Sequence, residues 1–514
     1  MIGGLLKSTS RVALFAAAGL FVGGVGVPSA KAADLGGDCC ADLEERVAEL
    51  EATTARKGNR KMSLTITGQV HRVVLWWDDG HMSDTYYGLD STNSSSRFSF
   101  LGSAKVNPKV SMGFEIMIEI EAGGTSSKVN QFDEDGKVGT QINGAAAASF
   151  NASNVDAYMG DARRVAWWIE HADIGRLTVG RFESAGVVTT VDLGGIGVVA
   201  SSSFALLNGS FLVRGSAGQF YAMTWGQLVD PAANQGRTEL VRYTSPTVMG
   251  FIFDASIGEA GDYWGAMLRY AGEFSGIRIA GGIGYEHIND RPTGVSFVPV
   301  VNTAGVAGPA NLGVVEPEVT AWGGALSLMH VPSGLFIQGH YQAADYCCAG
   351  SNSGYWGQAN PPHANGHADS VQWLIQGGIA KNWFGIGNTA LYAEYGKAED
   401  WGAGEGAGSS YAAATTAASN PLATVVGGAF VGQATVPGAT AVAGVVSTEV
   451  TVWGLGITQN VDAAASTLFL GYRNFSADVL CATANCGSAA TGATNNKLPT
   501  EDIHVVVGGA VVRF

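Results

Sequence analysis

The 514-residue chain has few charged residues, few prolines and little continuous apolar sequence. Asp, Glu, Lys and Arg make up 14% of the chain, and its 14 prolines leave room for long regular strands. Residues 12–27 form the one long apolar run, and four glycines divide it, whereas a membrane-spanning helix needs ~20 strongly apolar residues. The lack of a longer run excludes a helical membrane protein.

Motifs for catalysis or for binding metals and phosphates are also missing. The nine histidines are scattered, and no Cys/His spacing fits a metal site. There is no phosphate-binding Gly/Lys motif and no nucleophile-elbow pentapeptide. The acidic stretch 133–136 is interpreted as a solvated turn rather than a cation site. We therefore expect no enzyme, no metal and no cofactor.

The chain lacks the positive charge of a nucleic-acid-binding protein. Without residues 1–32 it would carry 26 basic and 44 acidic residues, a balance of −18. Because a phosphate backbone attracts the opposite sign, this balance excludes nucleic acid as a partner.

Residues 1–32 have the pattern of an export signal. Lys7 and Arg11 precede the apolar run, and Ala30-Lys31-Ala32 is a small-residue cleavage site. We expect cleavage after Ala32, with residues 33–61 forming an N-terminal segment in the periplasm.

One helical pattern lies in that segment, at residues 41–57. Leu43, Val47 and Leu50 are spaced by four and then three residues, as in a short coiled-coil seam. Two heptads are marginal alone, so we expect a short α-helix that associates in a trimer. A cap on the periplasmic mouth of a barrel and a tether to the cell wall remain as alternatives.

The main part of the chain, residues 62–514, alternates between apolar and polar positions. From Val110 to Ile120 every second residue is apolar, which is the period of a β-strand. The 73 glycines disfavour helix and suit curved strands and turns. Alternation alone fits either a membrane barrel or a soluble sandwich.

The connections separate these two folds. Tight turns alternate along the chain with long polar or Gly/Ala-rich segments, as expected for a transmembrane antiparallel β-barrel. The runs predict an all-β fold of 16 strands, beginning at residues 63–76 and ending at 502–514. Two weaker runs, 211–214 and 220–225, make 18 strands the alternative. Trp and Tyr residues fall mostly near strand ends or on the apolar phase, as in interfacial girdles.

Several segments in a specific order resemble the general porins of Gram-negative bacteria, with the alphaproteobacterial branch as the best match. They are RLTVGRF at the end of 163–181, LVRYTSP, MGFIFDASIG, DYWGAMLRYAGEF and the last strand. The resemblance implies a trimer of sixteen-stranded barrels, each with a water-filled pore. It also implies that the third external loop, at about 183–236, folds inward and narrows the pore.

Candidate pore residues follow from strand phase and from this loop. A charge that faces lipid would cost ~2–4 kcal/mol for Arg or Lys, so charged strand residues are expected inside. By phase these are Arg97, Glu115, Glu119, Arg164, Glu170, Arg176, Arg242, Arg269 and Arg473. The resemblance adds the loop acids Glu183 and Asp192, although this loop carries fewer acids than the family pattern. Arg72 falls on the apolar phase, which suggests a subunit contact or a position near the edge.

Two further features concern the end of the chain. Phe514 closes an aromatic terminal strand of the kind that outer-membrane proteins use for insertion. Cys481 and Cys486 flank a short segment and are the best candidates for a disulfide. The vicinal pairs at 39–40 and 347–348 are expected to bond elsewhere than to each other, and the connectivity stays open.

These observations predict an outer-membrane channel for passive diffusion of small hydrophilic solutes and ions, with a mild cation preference drawn from the −18 balance. The expected partners are outer-membrane lipid and lipopolysaccharide, two further copies in a homotrimer, and the cell wall through the helix. A channel selective for a sugar or a dicarboxylate is the main alternative. A barrel lipase and a purely structural anchor are weaker ones.

Overall fold

A computed structural model describes most of the barrel region. The described residues are 62–120, 124–131, 162–229, 236–258, 261, 263–288, 318–347, 369–403, 409–411 and 439–514. The expected signal and the predicted helix with Leu43, Val47 and Leu50 lie outside these residues. No helix within the described residues is long and apolar enough to cross a bilayer.

Strands make up most of the regular secondary structure in the described residues. In chain order these are β1 (Ser63–Asp78), β2 (Ser83–Asp90), β3 (Arg97–Lys105), β4 (Val110–Glu119), β5 (Ala162–His171), β6 (Gly175–Glu183), β7 (Leu212–Arg214), β8 (Phe220–Thr224), β9 (Arg237–Thr244), β10 (Phe251–Gly258), β11 (Tyr263–Phe274), β12 (Ile277–Ile288), β13 (Glu318–His330), β14 (Leu335–Cys347), β15 (Ser370–Lys381), β16 (Thr389–Glu399), β17 (Ser409–Tyr411), β18 (Val442–Val461), β19 (Ser466–Cys481), β20 (Lys497–Leu498) and β21 (Ile503–Arg513). A four-residue helix, α1 (Gly226–Val229), follows β8.

Sixteen of these strands close into a barrel, which confirms the predicted fold. Pairing is antiparallel from β1 through β3–β6 and β9–β16 to β18, β19 and β21, and β21 pairs with β1 again. Residues 72–78 of β1 pair with β2, and residues 63–69 pair with β3. The strands β2 and β3 together therefore occupy one strand position in the barrel. Because β7 and β8 form a separate two-stranded sheet, the alternative of eighteen strands is wrong.

The two edges of the barrel differ as expected. At one edge the connections are short, as at Ser275 and Gly276, where φ is +50° and +78° in a two-residue turn. At the other edge most connections are long, and residues 184–236 between β6 and β9 form one of the longest. The two rims therefore differ in the length of their connections, as expected for a barrel of this type.

Alternation places apolar side chains on the outside of the wall. On β13, Trp322 and Leu326 are 47% and 51% exposed, while the residues just before each of them, Ala321 and Ala325, are buried. A belt of alternating Trp and Tyr crosses eight consecutive wall strands, from β11 to β19. Its members are Trp264, Tyr285, Trp322, Tyr341, Trp373, Tyr395, Trp453 and Tyr472, which form close pairs with ring centroids 5.1–5.7 Å apart.

Candidate pore and inserted loop

Residues 184–229 fold into the barrel and are called the inserted loop below. At the start of this loop, a Cβ added to Gly284 of β12 would lie 1.9 Å from the carbonyl oxygen of Gly186, so the close approach requires glycine. Apolar side chains of the loop and of the inner wall form one buried cluster. It includes Ile196, Phe204, Phe211, Met223 and Trp225 from the loop and Val73, Trp77, Val452, Phe475 and Val505 from the wall.

This burial stabilises the inserted loop inside the barrel. The inner faces of β18, β19, β21 and β1 are largely apolar, and withdrawal of the loop would expose them to water. The loop therefore fills one side of the barrel. Partly exposed charged side chains lie on the side formed by β3–β6 and β9.

Glutamine side chains of the wall hold the loop backbone in place. Gln372 donates to the carbonyl of Ser202 at 2.7 Å, and Gln376 donates to that of Ala200 at 3.0 Å. Both glutamines are buried, and each satisfies a loop carbonyl that would otherwise lack a partner there. Inward polar positions of β15 thus serve as anchors rather than as open pore lining.

Arg473 is a second anchor. Its Nη2 donates to the carbonyl of Ser201 at 2.6 Å, and its Nε donates to Oε1 of Glu394 at 2.6 Å. Gln376 donates to the other carboxylate oxygen of Glu394 at 2.9 Å. Arg473 faces the interior, as its strand phase predicts, but it is 2% exposed and does not reach open lumen.

The hairpin β7–β8 at the end of the inserted loop is held by the outer connections. Arg214 donates from Nε to Oδ2 of Asp79 at 3.0 Å, and both side chains are buried. The Tyr221 hydroxyl lies 2.8 Å from the carbonyl oxygens of Thr491 and Pro499. Burial raises the pKa of Tyr221 to about 12. The hairpin therefore packs as a fixed element beneath these connections.

A group of partly exposed charged side chains lines β3–β6 and the start of β9, and is called the charged wall below. Its members are Arg97, Glu115, Glu119, Arg163, Arg164, Glu170, Arg176, Glu183 and Arg237. Cross-strand register brings them together, since paired residues of adjacent strands point to the same face. Most of the predicted pore residues thus lie in one patch.

Ion pairs link neighbours in the charged wall. Arg164 donates to Oε1 of Glu115 at 2.8 Å and to Oε1 of Glu183 at 2.5 Å. Arg163 pairs with Glu119. The two signs alternate along the wall, so little charge is left uncompensated.

Nearer the short-turn edge, one further pair completes the charged wall. Arg176 donates to Oε2 of Glu170 at 2.5 Å, and its guanidinium carbon lies 4.3 Å from the centre of the Trp168 ring. A Cβ added to Gly113 would clash with that ring, so the indole lies flat on the β4 backbone. The stack fixes the orientation of Arg176.

The partly exposed residues of the inserted loop, by contrast, carry no charge. They include Val188, Thr189, Val191, Ser202, Ser203 and Leu206. Asp192 was expected in the constriction, but it is 7% exposed and its carboxylate accepts the amides of Gly195 and Gly197 at 2.8 and 2.7 Å. The tight glycine turn thus uses both carboxylate oxygens of Asp192, and its place in the constriction stays a prediction.

Arg242 and Arg269 face inward as predicted but are likewise covered. Both bind Asp254, at 2.8 Å from Nη2 of Arg242 and 2.6 Å from Nη2 of Arg269. The three side chains are buried, and Arg242 also donates to the carbonyl of Glu183 at the start of the loop. These residues form part of the loop's support instead of the open lining.

Sequence reasoning missed several charged residues of the interior, among them Arg163, Arg237 and Asp254. Arg163 reaches Glu119 because the β4–β5 register shifts between Met117 and Ile118, which the sequence pattern does not show. Arg237 sits at a strand end. Asp254 could have been found from the sequence. Phe251 and Phe253 mark the outward phase of β10, so Asp254 lies on the inward phase.

Two features at the end of the chain are clear in the structure. A disulfide joins Cys481 and Cys486, with their Cα atoms 5.3 Å apart. Phe514 and Gly68 exchange backbone hydrogen bonds at 2.9 and 3.0 Å, so the terminal residue extends the pairing of the last strand with the first. The pairing of the other cysteines lies outside what the described side chains show.

No family model and no curated protein matches the chain. Solved structures do match. The anion-selective porin from Comamonas acidovorans is 13% identical, with a TM-score of 0.46, over 88% of this chain and 100% of that one. The outer membrane channel DcaP of Acinetobacter baumannii is 12% identical, with a TM-score of 0.38, over 90% and 100%. Likeness at this level says nothing of solute or assembly, and the barrel rests on the strand pairing above.

Proposed function

We propose that this protein is a channel of the Gram-negative outer membrane through which small hydrophilic solutes and ions diffuse passively. One observation carries the proposal: a closed barrel presents apolar side chains on the outside and a charged, partly exposed wall inside. A wall of this kind is stable with lipid outside and water within. The Trp/Tyr belt marks the expected lipid–water boundary on β11–β19.

The diffusion path in this proposal runs between the inserted loop and the charged wall. The loop supplies hydroxyl and aliphatic groups, and the wall supplies paired charges. Hydrated solutes keep polar partners along such a path. An apolar solute would displace water from these polar groups without replacing its hydrogen bonds. The resemblance to general porins agrees with an inward third loop, and the alphaproteobacterial branch stays an expectation.

We propose that ion selectivity is weak. The −18 balance favours cations near the mouths, but the charged wall carries five arginines and four glutamates. The expected acidic excess is therefore not found along this part of the path. A mild cation preference would require acids in the outer connections to dominate.

We also propose a homotrimer. The Trp/Tyr belt stops at β10 and β21, where the outward residues paired with its end members, Ile257 beside Trp264 and Val506 beside Tyr472, are aliphatic. On the side without the belt, Arg72 faces outward, 3.7 Å from Asp90. An outward charge at that position fits a protein contact better than lipid. Lipid and lipopolysaccharide would then surround the half with the belt.

A channel selective for a sugar or a dicarboxylate remains a second candidate, because the inserted loop fills so much of the interior. The periplasmic helix as a trimer seam or a cell-wall contact remains a proposal drawn from sequence. None of these alternatives needs a different barrel.

Planar-bilayer recording of the refolded full-length protein tests the proposal. We expect stepwise conductance that rises in proportion to salt concentration, and reversal potentials close to zero in a salt gradient. Saturation with one sugar or dicarboxylate would instead favour the selective channel. Barrels that insert into the bilayer but conduct no ions would overturn the proposal and point to a structural anchor.

A further inference from the structure

The last outer connection of the barrel, residues 482–502, is fastened at its base by the disulfide between Cys481 and Cys486. Cys486 has φ +48°, a backbone conformation that L-residues rarely adopt, and its carbonyl accepts the amide of Ala443 at 2.9 Å. On the returning side, Asn496 donates from Nδ2 to the carbonyl of Cys481 at 3.0 Å, and its own carbonyl accepts the amide of Cys481 at 2.8 Å. Both sides of the connection therefore meet at the disulfide.

Hydrogen bonds carry this link on to the inserted loop. Residues 481–486 form a ring that the disulfide closes, and the carbonyl of Asn485 in this ring accepts from Oγ1 of Thr491 at 2.8 Å. The carbonyl of Thr491 in turn accepts from the hydroxyl of Tyr221 at 2.8 Å and from Nε2 of Gln219 at 3.1 Å. Thr491 is fully buried, so loss of these partners would leave polar groups unsatisfied. One residue thus joins the disulfide ring to the hairpin β7–β8.

The backbone of the returning side also holds the hairpin directly. The amide of Glu501 donates to the carbonyl of Arg214 at 2.8 Å. Next to them, Gly215 and Thr500 form an antiparallel β-bridge. Residues 499–501 therefore lie along the hairpin like a short third strand.

The hairpin is continuous with the packed body of the inserted loop. Phe211 and Trp225 flank it, and the amide of Trp225 donates to the carbonyl of Phe211 at 2.9 Å. The ring centroid of Phe211 lies 5.3 Å from that of Trp77 on β1, and that of Trp225 lies 6.2 Å from that of Phe475 on β19. All four rings are buried. Because such packing leaves little free volume, a displaced hairpin would disturb the contact between the loop and the wall.

We propose that the Cys481–Cys486 disulfide positions the inserted loop through the last outer connection and thereby sets the open-channel current. The inference rests on the proposed channel function. Both cysteines are buried, so they act as positioning residues and not as part of the diffusion path. A cross-link over a short segment removes alternative conformations of the chain. It thus keeps the carbonyl acceptors of Thr491 and Pro499 in place beneath the hairpin.

Planar-bilayer recording and hydrogen exchange of Cys481→Ser/Cys486→Ser test the proposal. We expect exchange of the β7–β8 amides to accelerate on the order of tenfold, because the acceptors are no longer fixed, while exchange in β12 and β13 stays unchanged. The open-channel current should become noisier. Thr491→Val keeps the disulfide and the side-chain shape but removes the bond to Asn485, and should shift both measurements in the same direction by less.

A dithiol provides a second route to the same state. Wild-type protein refolded with dithiothreitol should match the double variant, since the dithiol is oxidised to its own disulfide while Cys481 and Cys486 become thiols. Thiol labelling confirms the reduction. The double variant should not respond to the dithiol. A response as large as that of the wild type would assign the effect to the other cysteines and overturn the proposal.

Lys497→Gln is the matched control in the same connection. Lys497 pairs with Asp478 at 2.5 Å, and both side chains are exposed. We expect this variant to keep the wild-type exchange rate and current. Conducting barrels of Cys481→Ser/Cys486→Ser and Thr491→Val with wild-type current would overturn the proposal, even if the hairpin exchanges faster. Absence of any wild-type conductance would instead reject the channel itself.

Discussion

Arg473 of β19 and Glu394 of β16 meet inside the wall, 2.6 Å apart, although β18 lies between their strands. Arg473 also binds the carbonyl of Ser201, so one guanidinium joins two wall strands to the inserted loop. Gly454 of β18 lies between the pair, and a Cβ there would meet Glu394 at 2.8 Å. The pair is thus a clamp on the loop.

Replacement of Arg473 should loosen that clamp. In Arg473→Met, Glu394 keeps a buried charge without its main partner, which costs about 3–5 kcal/mol in comparable cases. We expect a lower unfolding midpoint in detergent and larger, noisier single-channel currents. Arg278→Met breaks an exposed pair and should cost under about 1 kcal/mol. Indistinguishable midpoints for the two variants would contradict the clamp.

The terminal contact predicts a steric effect at Gly68. A Cβ at this position would lie 2.4 Å from Cζ of Phe514 and 2.7 Å from the carbonyl oxygen of Arg97, so Gly68→Val must displace the terminal ring and the adjacent strand. We expect slower folding into lipid vesicles, measured by the shift in gel mobility on heating. Gly377→Val is the control, since the nearest atom to its added Cβ is 3.6 Å away. Equal folding rates would show that the ring position is unimportant.

The proposed trimer predicts that the two halves of the outer surface respond differently to a charge. Val70 on β1 and Ile375 on β15 are 51% and 52% exposed. Val70→Arg should lower the temperature at which the trimer dissociates, because it faces the neighbouring copy. Ile375→Arg should leave that temperature unchanged and weaken membrane insertion, at a cost of ~2–4 kcal/mol near mid-bilayer. Cross-linking before electrophoresis would measure the dissociation temperature of each variant. A lower temperature for Ile375→Arg and an unchanged one for Val70→Arg would place the interface on the belt side.

The hairpin β7–β8 should respond to alkaline pH through Tyr221. Its pKa of about 12 lies above the ordinary value of 10, so its stabilising contribution is complete below pH 10 and is lost as pH rises through 12. Hydrogen exchange of the hairpin amides should accelerate over this window in the wild type. Tyr221→Phe should exchange faster at neutral pH and show no such step. A step that persists in Tyr221→Phe would assign it to another group.

Much of the fold was predictable because strand alternation and turn length are local. The alternation from Val110 to Ile120 indicated the inward phase of β4, and the runs around it predicted the sixteen strands. The inward direction of Arg97, Glu115 and Arg164 followed from the same period. Whether an inward side chain meets water could not be predicted, since this depends on the distant loop that covers it.

Asp192 and Arg242 show where local pattern ends. The resemblance implied that Asp192 is a constriction acid, but two amides of its own turn donate to its carboxylate. Arg242 lies on the predicted face, yet Asp254 and the start of the inserted loop enclose it. Both outcomes depend on contacts that strand periodicity does not contain.

The sequence by itself determined a barrel with an apolar outer face and at least sixteen strands, because a two-residue period and short turns are properties of neighbouring residues. Only the tertiary structure decided which half of the interior is filled, since that depends on apolar packing between residues 184–229 and strands far away in the chain. It alone brought Tyr221 to Thr491, because a contact between residues 270 positions apart lies outside any local pattern.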